Sequence, residues 1–223
     1  LTNSAHPPVQ GGGERYKLAE AAFEVAIRYP ATVAAYSAEA AVQAAVWAAR
    51  IWALGEGWAC VGVGHDGHIP PNGKYQFRRL EHRFYRWPEE LSRFLAETMT
   101  MAAQTDVYII PTLRADRSAK KGSALPGRAC WADVDGQWTP ERAEKIAQLN
   151  TWRVASGSGG RHVYLPLVQP EPPEHLEAWN RRFGALLDAD AKWAENALLR
   201  LPGTLNHKPR ANGGASIPVT WTP

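Results

Sequence analysis

Apolar and polar positions alternate with a period that changes several times along the chain, and each change marks an element. From Glu14 to Arg28 the residues Leu18, Ala22, Val25 and Ala26 recur at helical spacing, and Pro30 ends the run. Residues 31–54 keep that period, with Trp47, Ile51 and Trp52 as an apolar stripe and Gly55 and Gly57 as the stop. This predicts an N-terminal helical subdomain over residues 14–57, behind a flexible Pro- and Gly-rich lead-in at residues 1–13. The period then shortens. Trp58–Gly64 reads as a buried strand, His65–Gly73 as a turn and Tyr75–Trp87 as an amphipathic strand. Pro88–Ala103 reads as a helix with Pro88 near its first turn, and Asp106–Leu113 as a strand.

The second half repeats the alternation. Cys130–Gly136 is a buried strand running into a loop. Thr139 is a candidate N-cap with Pro140 at the first helical position, ahead of a helix over Arg142–Asn150. Arg153–Leu167 reads as strand, tight Gly-rich turn, strand. Pro173–Leu187 is a helix carrying Leu176, Trp179, Phe183 and Leu186. Ala197–Lys208 has no sustained period and reads as a constrained loop rich in side-chain donors. Ser216–Trp221 is a terminal strand. The whole is a mixed α+β pattern, with residues 58–223 as one core.

Composition narrows the class. Hydrophobic residues make up 45% and charged residues 21%, which places the chain among globular proteins. Net charge is only +3, but its distribution is uneven. Arg114, Arg117, Lys120, Lys121 and Arg128 face a single acid, Asp116, between Thr112 and Arg128. Arg200, Lys208 and Arg210 lie in a stretch with no acid from Ala197 to Pro223. Positive loops suit a polyanionic substrate, and they also serve solubility. The two cysteines, Cys60 and Cys130, sit in apolar runs and form no ligand cluster, which argues against structural zinc. Ser37, Glu39, Gln43 and Arg50 interrupt the longest apolar region, so no membrane span is expected and a cytoplasmic protein is the default.

Three stretches carry chemistry. Asp133 and Asp135 are two apart on a strand, so they share a face while Ala132 and Val134 point into a core. Adjacent carboxylates are costly without a positive partner, and hard divalent ions prefer oxygen ligands. Two exposed acids before a Gly turn is the plainer reading, and this stretch alone does not separate the two. Ser156-Gly157-Ser158-Gly159-Gly160-Arg161-His162 is a turn whose amides and hydroxyls suit an anion, feeding a strand on which His162 and Tyr164 share a face. The third stretch is Arg200-Leu-Pro-Gly-Thr-Leu-Asn206-His-Lys208. Arg78, Arg79, Arg83 and Arg86 interleave with Phe77, Phe84, Tyr85 and Trp87, a pattern fitting single-stranded nucleic acid or an amphipathic core strand equally well.

In this order the three stretches resemble the archaeo-eukaryotic primase superfamily, in its plasmid and phage primase–polymerase branch, over about Val107 to Lys208. The resemblance implies an α/β (α+β) fold. It has an RRM-like antiparallel-sheet core bearing all three motifs, a smaller α/β module from about Trp58 to Leu113, and the N-terminal helices as an addition. It implies a DNA primase and polymerase, with Asp133, Asp135 and a third acid binding two divalent ions, Mg²⁺ or Mn²⁺. Asp190 fits the third position's spacing better than Asp188. His162 would contact the phosphates of an incoming NTP or dNTP. Ser156, Gly157, Ser158 and Gly159 would cradle them, with Arg161, Arg200, Asn206 and Lys208 as further contacts. The family often has Ser two residues before its His, where this chain has Gly160. Arg114, Arg117, Lys120 and Lys121 would track a single-stranded DNA template. A fused or recruited helicase is a further implied partner, and replication of a phage or plasmid the implied setting. Competing readings are an end-joining repair polymerase, a non-catalytic single-strand binding module, and a replication-initiator nuclease, whose His-hydrophobe-His pattern His65-Asp66-Gly67-His68 does not match.

Overall fold

The computed structural model describes residues 38–53 and 55–222, so the expected lead-in and the expected Glu14–Arg28 helix lie outside it. Helix α1 (Ala38–Trp52) is followed by a long antiparallel ribbon, β1 (Gly57–His68) and β2 (Gln76–Trp87), then α2 (Leu91–Ala102) and β3 (Asp106–Ile109). Next come β4 (Gly127–Val134), α3 (Pro140–Lys145), β5 (Trp152–Ala155), β6 (Arg161–Glu171) and α4 (Pro173–Leu187). The chain ends in the short strands β7 (Leu199–Arg200), β8 (Leu205–Asn206), β9 (Ile217–Pro218) and β10 (Thr220–Thr222), with a 3₁₀ turn at Lys208–Asn212. One sheet runs β2-β1-β3-β7 and the other β10-β5-β6-β4, and β8 pairs with β9. Every named pairing is antiparallel.

The main core joins both sheets. Ala59, Val61 and Val63 of β1 share it with Tyr85 and Trp87 of β2, Phe94, Leu95 and Met99 of α2, and Trp131 and Tyr164 of the second sheet. The predicted stripe of α1 is buried there: Trp52 meets Trp47, Trp87 and Phe94 edge-on at centroid distances of 6.3, 5.0 and 5.7 Å. A second core lies on the opposite face of β4 and β6, where Cys130, Ala132, Val134 and Val163 pack on Leu176, Phe183 and Leu187 of α4. Strand alternation then forces Asp133 onto the face opposite α4, as expected. Burial pushes the thiols of Cys60 and Cys130 up to about 12, so both are inert core groups.

Several predicted boundaries move. Pairing of β1 with β2 continues to His68↔Gln76, so the expected turn at His65–Gly73 is strand in its first half. Strand β3 stops at Ile109, because Pro111 has no N–H to offer a ladder. Thr139 caps α3 as expected, accepting from Arg142 N at 3.4 Å, but the helix ends at Lys145 and tightens into i→i+3 turns such as Leu149 N to Ile146 O. Helix α4 is rolled relative to the predicted stripe: Leu176, Asn180, Phe183 and Leu187 face inward, while Trp179 and Leu186 are exposed. The cause is Asn180, whose amide oxygen accepts from Trp131 N at 2.8 Å and whose NH₂ donates to Trp193 O at 3.2 Å. The predicted loop at 197–208 holds two short strands. One of them, β7, joins β3, so the third motif is not confined to the sheet that bears the first two. Among the described residues, no helix is long and apolar enough to cross a membrane.

Candidate active site

A cleft of about 580 Å³ opens where the two sheets meet. On the second sheet Asp133 pairs in register with His162 and Val134 with Arg161, which brings the first two motifs side by side. The third acid arrives through the backbone: Asp190 N donates to Asp133 O at 2.8 Å, forming an isolated antiparallel bridge. Asp133, Asp135, Asp190, His162, Ser156, Ser158, Arg200, Asn206 and Lys208 all line this cleft. Asp188 does not. It caps α4 in the left-handed region (φ 51°), is 70% exposed at the side chain, and pairs with Lys145 at 3.3 Å. The geometry thus places Asp190, and not Asp188, beside Asp133.

The acids are electrostatically crowded. Desolvation first, then the neighbouring charge of Asp135 and a hydrogen bond to it, hold the Asp190 carboxyl above the usual range. Asp133 is 7% exposed, with His162 Nε2 3.4 Å from Oδ1 and Lys192 Nζ 3.4 Å from Oδ2. Burial lowers the His162 pKa to about 4 despite the opposing pull of Asp133, so the ring is neutral at pH 7. Its Nδ1 is buried without a hydrogen-bond partner. Clustered carboxyls, with a lysine ammonium drawn to one of them, are the situation a divalent cation relieves. Among the described residues no group of three His, Cys, Asp or Glu stands ready to hold a metal ion. The carboxylate oxygens are the donor type that Mg²⁺ or Mn²⁺ takes, with substrate phosphates left to complete the shell.

The turn before His162 explains the glycine at position 160. A Cβ there would lie 2.7 Å from Val134 O and 3.4 Å from Asp135 Cα, so only glycine lets the turn press against the end of β4. Ser156 is buried and its hydroxyl donates to Gly160 O at 3.1 Å, which closes the turn. Ser158 is exposed and displays its hydroxyl to the cleft. Gly157 and Gly159 do not line the cleft; both take positive φ and shape the turn. Asn206 locks the third motif to the second by donating to Ser156 O at 2.8 Å.

Arg200 is 6% exposed and belongs to a buried network on the first sheet. Its Nη1 donates to Asp106 Oδ1 at 2.5 Å, and its guanidinium lies 4.8 Å from the Tyr108 ring centroid. Asp106 also accepts from Tyr75 OH at 2.6 Å and His207 N at 2.9 Å. Asp106, Tyr75, Tyr108 and Lys192 were not singled out from the sequence, and Phe77 only as part of the basic-aromatic stretch. Period-2 alternation could have found Tyr75 and Phe77, which share a face of the β1–β2 ribbon with the cleft. Tyr85 and Trp87 on the same strand are core, so the basic-aromatic stretch divides between the two uses. Lys192 sits in an irregular segment that gives no periodic signal.

The remaining predicted residues lie elsewhere. Arg161 leans over Trp138 at 6.0 Å, outside the cleft lining. Arg114 is fully buried, so it is not displayed to a template: its donors go to Ser118 O, Lys120 O, Thr112 Oγ1 and Glu195. Arg117, Lys120 and Lys121 are exposed on the loop that Arg114 organises, also outside the cleft lining.

No family model and no curated protein matches the sequence. Solved structures do match. The fold is shared with solved primase and primase–polymerase domains. The chain is similar to primase RepB′ (TM-score 0.53, 17% identity, over 76% of this chain and 52% of that one). It therefore spans about half the length of that primase. It is similar also to the RepB′ catalytic domain in complex with initiator DNA (0.52, 15%, 81% and 82%). A third match is the primase–polymerase domain of cyanophage S-2L (0.50, 13%, 71% and 78%).

Proposed function

We propose that the protein is a metal-dependent, template-directed nucleotidyltransferase that makes and extends primers on single-stranded DNA. The observation that carries this reading is the convergence of Asp133, Asp135 and Asp190 with Ser158, His162, Arg200 and Lys208 in one cleft, on a primase-type fold. Asp133, Asp135 and Asp190 would hold the divalent ions. Once bound, such ions lower the pKa of an attacking hydroxyl and neutralise charge on the transferring phosphoryl and on pyrophosphate.

The chain's own groups do the rest. Arg200 and Lys208 offer cationic donors to a triphosphate from the wall opposite the acids, and Asp106 and Tyr108 fix the Arg200 guanidinium before substrate arrives. Neutral His162, its Nε2 3.4 Å from Asp133 Oδ1, would meet the phosphates from the same strand face as that acid. Ser158 and the positive-φ turn around it bring donors to a phosphate oxygen. Phe77 and Tyr108, in edge contact at 5.8 Å, give the cleft an apolar wall for a base or sugar.

The test is incubation with labelled nucleotides, Mg²⁺ or Mn²⁺, and a single-stranded template with or without a primer. Extension in both cases is expected. Extension of the primed template alone marks a polymerase without priming activity, and well-folded protein that makes no product under any condition refutes the reading.

A further inference from the structure

The basic loop outside the cleft is held rigid and ends in two cation–indole stacks. Arg114 and Trp58 bridge through both backbone hydrogen bonds, at 2.8 and 2.9 Å. Glu195 Oε1 accepts from Gly122 N at 2.6 Å and Ala124 N at 3.3 Å, and pairs with the Arg114 guanidinium at 3.3 Å. Wound around that buried pair, the loop sends Arg117 to one end and Lys121 to the other. The Arg117 guanidinium lies 4.3 Å from the Trp58 ring centroid. At the far end Arg181 of α4 stacks on Trp193 at 3.5 Å, with Lys121 Nζ 6.0 Å from the same ring.

Neither Arg117 nor Arg181 has a hydrogen-bond or ion-pair partner among the described residues, and each feels one acid at longer range, Glu90 for Arg117 and Glu177 for Arg181. Their donors are oriented by the indoles and unused, which is how an arginine is pre-organised for a phosphate. The nearby acid Glu177 is already engaged by Lys121 at 2.9 Å. Lys121 lies four positions after Arg117, so the loop between them spans at most about 14 Å. Trp193 follows Lys192, whose ammonium reaches Asp133 in the cleft. Trp131 Nε1 to Lys192 O (2.8 Å) and Asn180 to Trp193 O (3.2 Å) fix that backbone. Through the Lys192–Trp193 step the Arg181–Trp193 stack adjoins the cleft, and the Arg117–Lys121 loop joins it to the Arg117–Trp58 stack.

We infer that the Arg181–Trp193 and Arg117–Trp58 stacks form a phosphate track for the sugar–phosphate backbone of single-stranded nucleic acid outside the catalytic cleft. The inference rests on the proposed function for its direction, but its test needs no catalysis. Fluorescence anisotropy of a labelled single-stranded DNA oligonucleotide is followed from 50 to 200 mM salt with the wild type and Arg117→Ala/Arg181→Ala. Each phosphate contact on a single strand contributes about 0.7 to the slope of log affinity against log salt, so losing two flattens it by about 1.4. Affinity at low salt falls with it, while binding of a free nucleoside triphosphate with Mg²⁺ stays at the wild-type level. Arg117→Lys/Arg181→Lys keeps the charges but loses the planar forks, and falls between the two. An RNA oligonucleotide of the same sequence bound with the same change in slope confirms a backbone site. An unchanged slope and affinity for both oligonucleotides, with variants that melt like the wild type, overturns the track. Loss of triphosphate binding in the alanine pair overturns its separation from the cleft. If the track holds while nucleotide incorporation is absent, only the proposed function fails.

Discussion

Asp106 is a point of high sensitivity, because one buried carboxylate holds three parts of the cleft together. It is 1% exposed and accepts from Arg200 of β7, from Tyr75 at the mouth of the β1–β2 ribbon and from the backbone of His207. Asp106→Ala leaves Arg200, itself 6% exposed, as an uncompensated buried cation. Removing one partner of such a pair costs about 3–5 kcal/mol. In a domain of this size each kcal/mol moves Tm by about 2–4 °C, so the expected fall is about 6–20 °C in thermal unfolding. Asp106→Asn retains one acceptor oxygen but turns an NH₂ toward donors, and should cost less than the alanine change. The pair Asp106→Ala/Arg200→Met removes both charges and should recover about 2 kcal/mol relative to the sum of the single changes. At temperatures where Asp106→Asn stays folded, its triphosphate affinity should fall because Arg200 is no longer oriented. A shift below about 2 °C for Asp106→Ala, or additive single and double changes, would refute the argument.

Three further outcomes follow from the same geometry. Asp190→Asn should lower nucleotide incorporation by about 10²–10³-fold, the size of a lost electrostatic contact to a transition state, whereas Asp188→Asn on the α4 cap should stay within about twofold in the same extension assay. Gly203→Ala should destabilise by more than Gly213→Ala: both have positive φ (81° and 77°), but a Cβ at Gly203 overlaps the Ala40 carbonyl of α1, while the space at Gly213 is open, and urea unfolding compares them. Phe77→Ala removes a cleft-wall ring and should raise KM for nucleotide or template by about 5- to 150-fold in steady-state kinetics, equivalent to about 1–3 kcal/mol of stacking, with thermal stability little changed.

Much of the site was legible because its chemistry is written locally. Asp133 obeys strand alternation, Asp135 follows just past the end of β4 and still lines the cleft, and the Ser156–His162 turn feeds its strand as read. The Gly160 position, which departs from the family pattern, turned out to be a steric requirement of β4. What the sequence concealed was long-range. Asp190 reaches Asp133 through a backbone bridge across 57 positions, which spacing could only favour over Asp188. Asp106 looked like the first residue of an ordinary strand, since nothing local shows that Arg200 returns to it 94 residues later. Arg114 read as one more loop cation because charge in sequence does not reveal burial, and only Glu195, 81 positions away, accounts for it. The roll of α4 escaped for a similar reason: the hydrophobic period favours Trp179, while Asn180 wins through two hydrogen bonds to partners outside the helix.

The central claim is that the acid cluster transfers nucleotides, and the direct measurement is single-turnover incorporation of a labelled nucleotide on a primed single-stranded template. Wild type, Asp133→Asn and Asp188→Asn are run in parallel with Mg²⁺ or Mn²⁺ and with chelator. Metal-dependent product is expected with the wild type and Asp188→Asn, and none above background with Asp133→Asn. Product that survives Asp133→Asn or chelation, or its absence from folded wild-type protein, would contradict it.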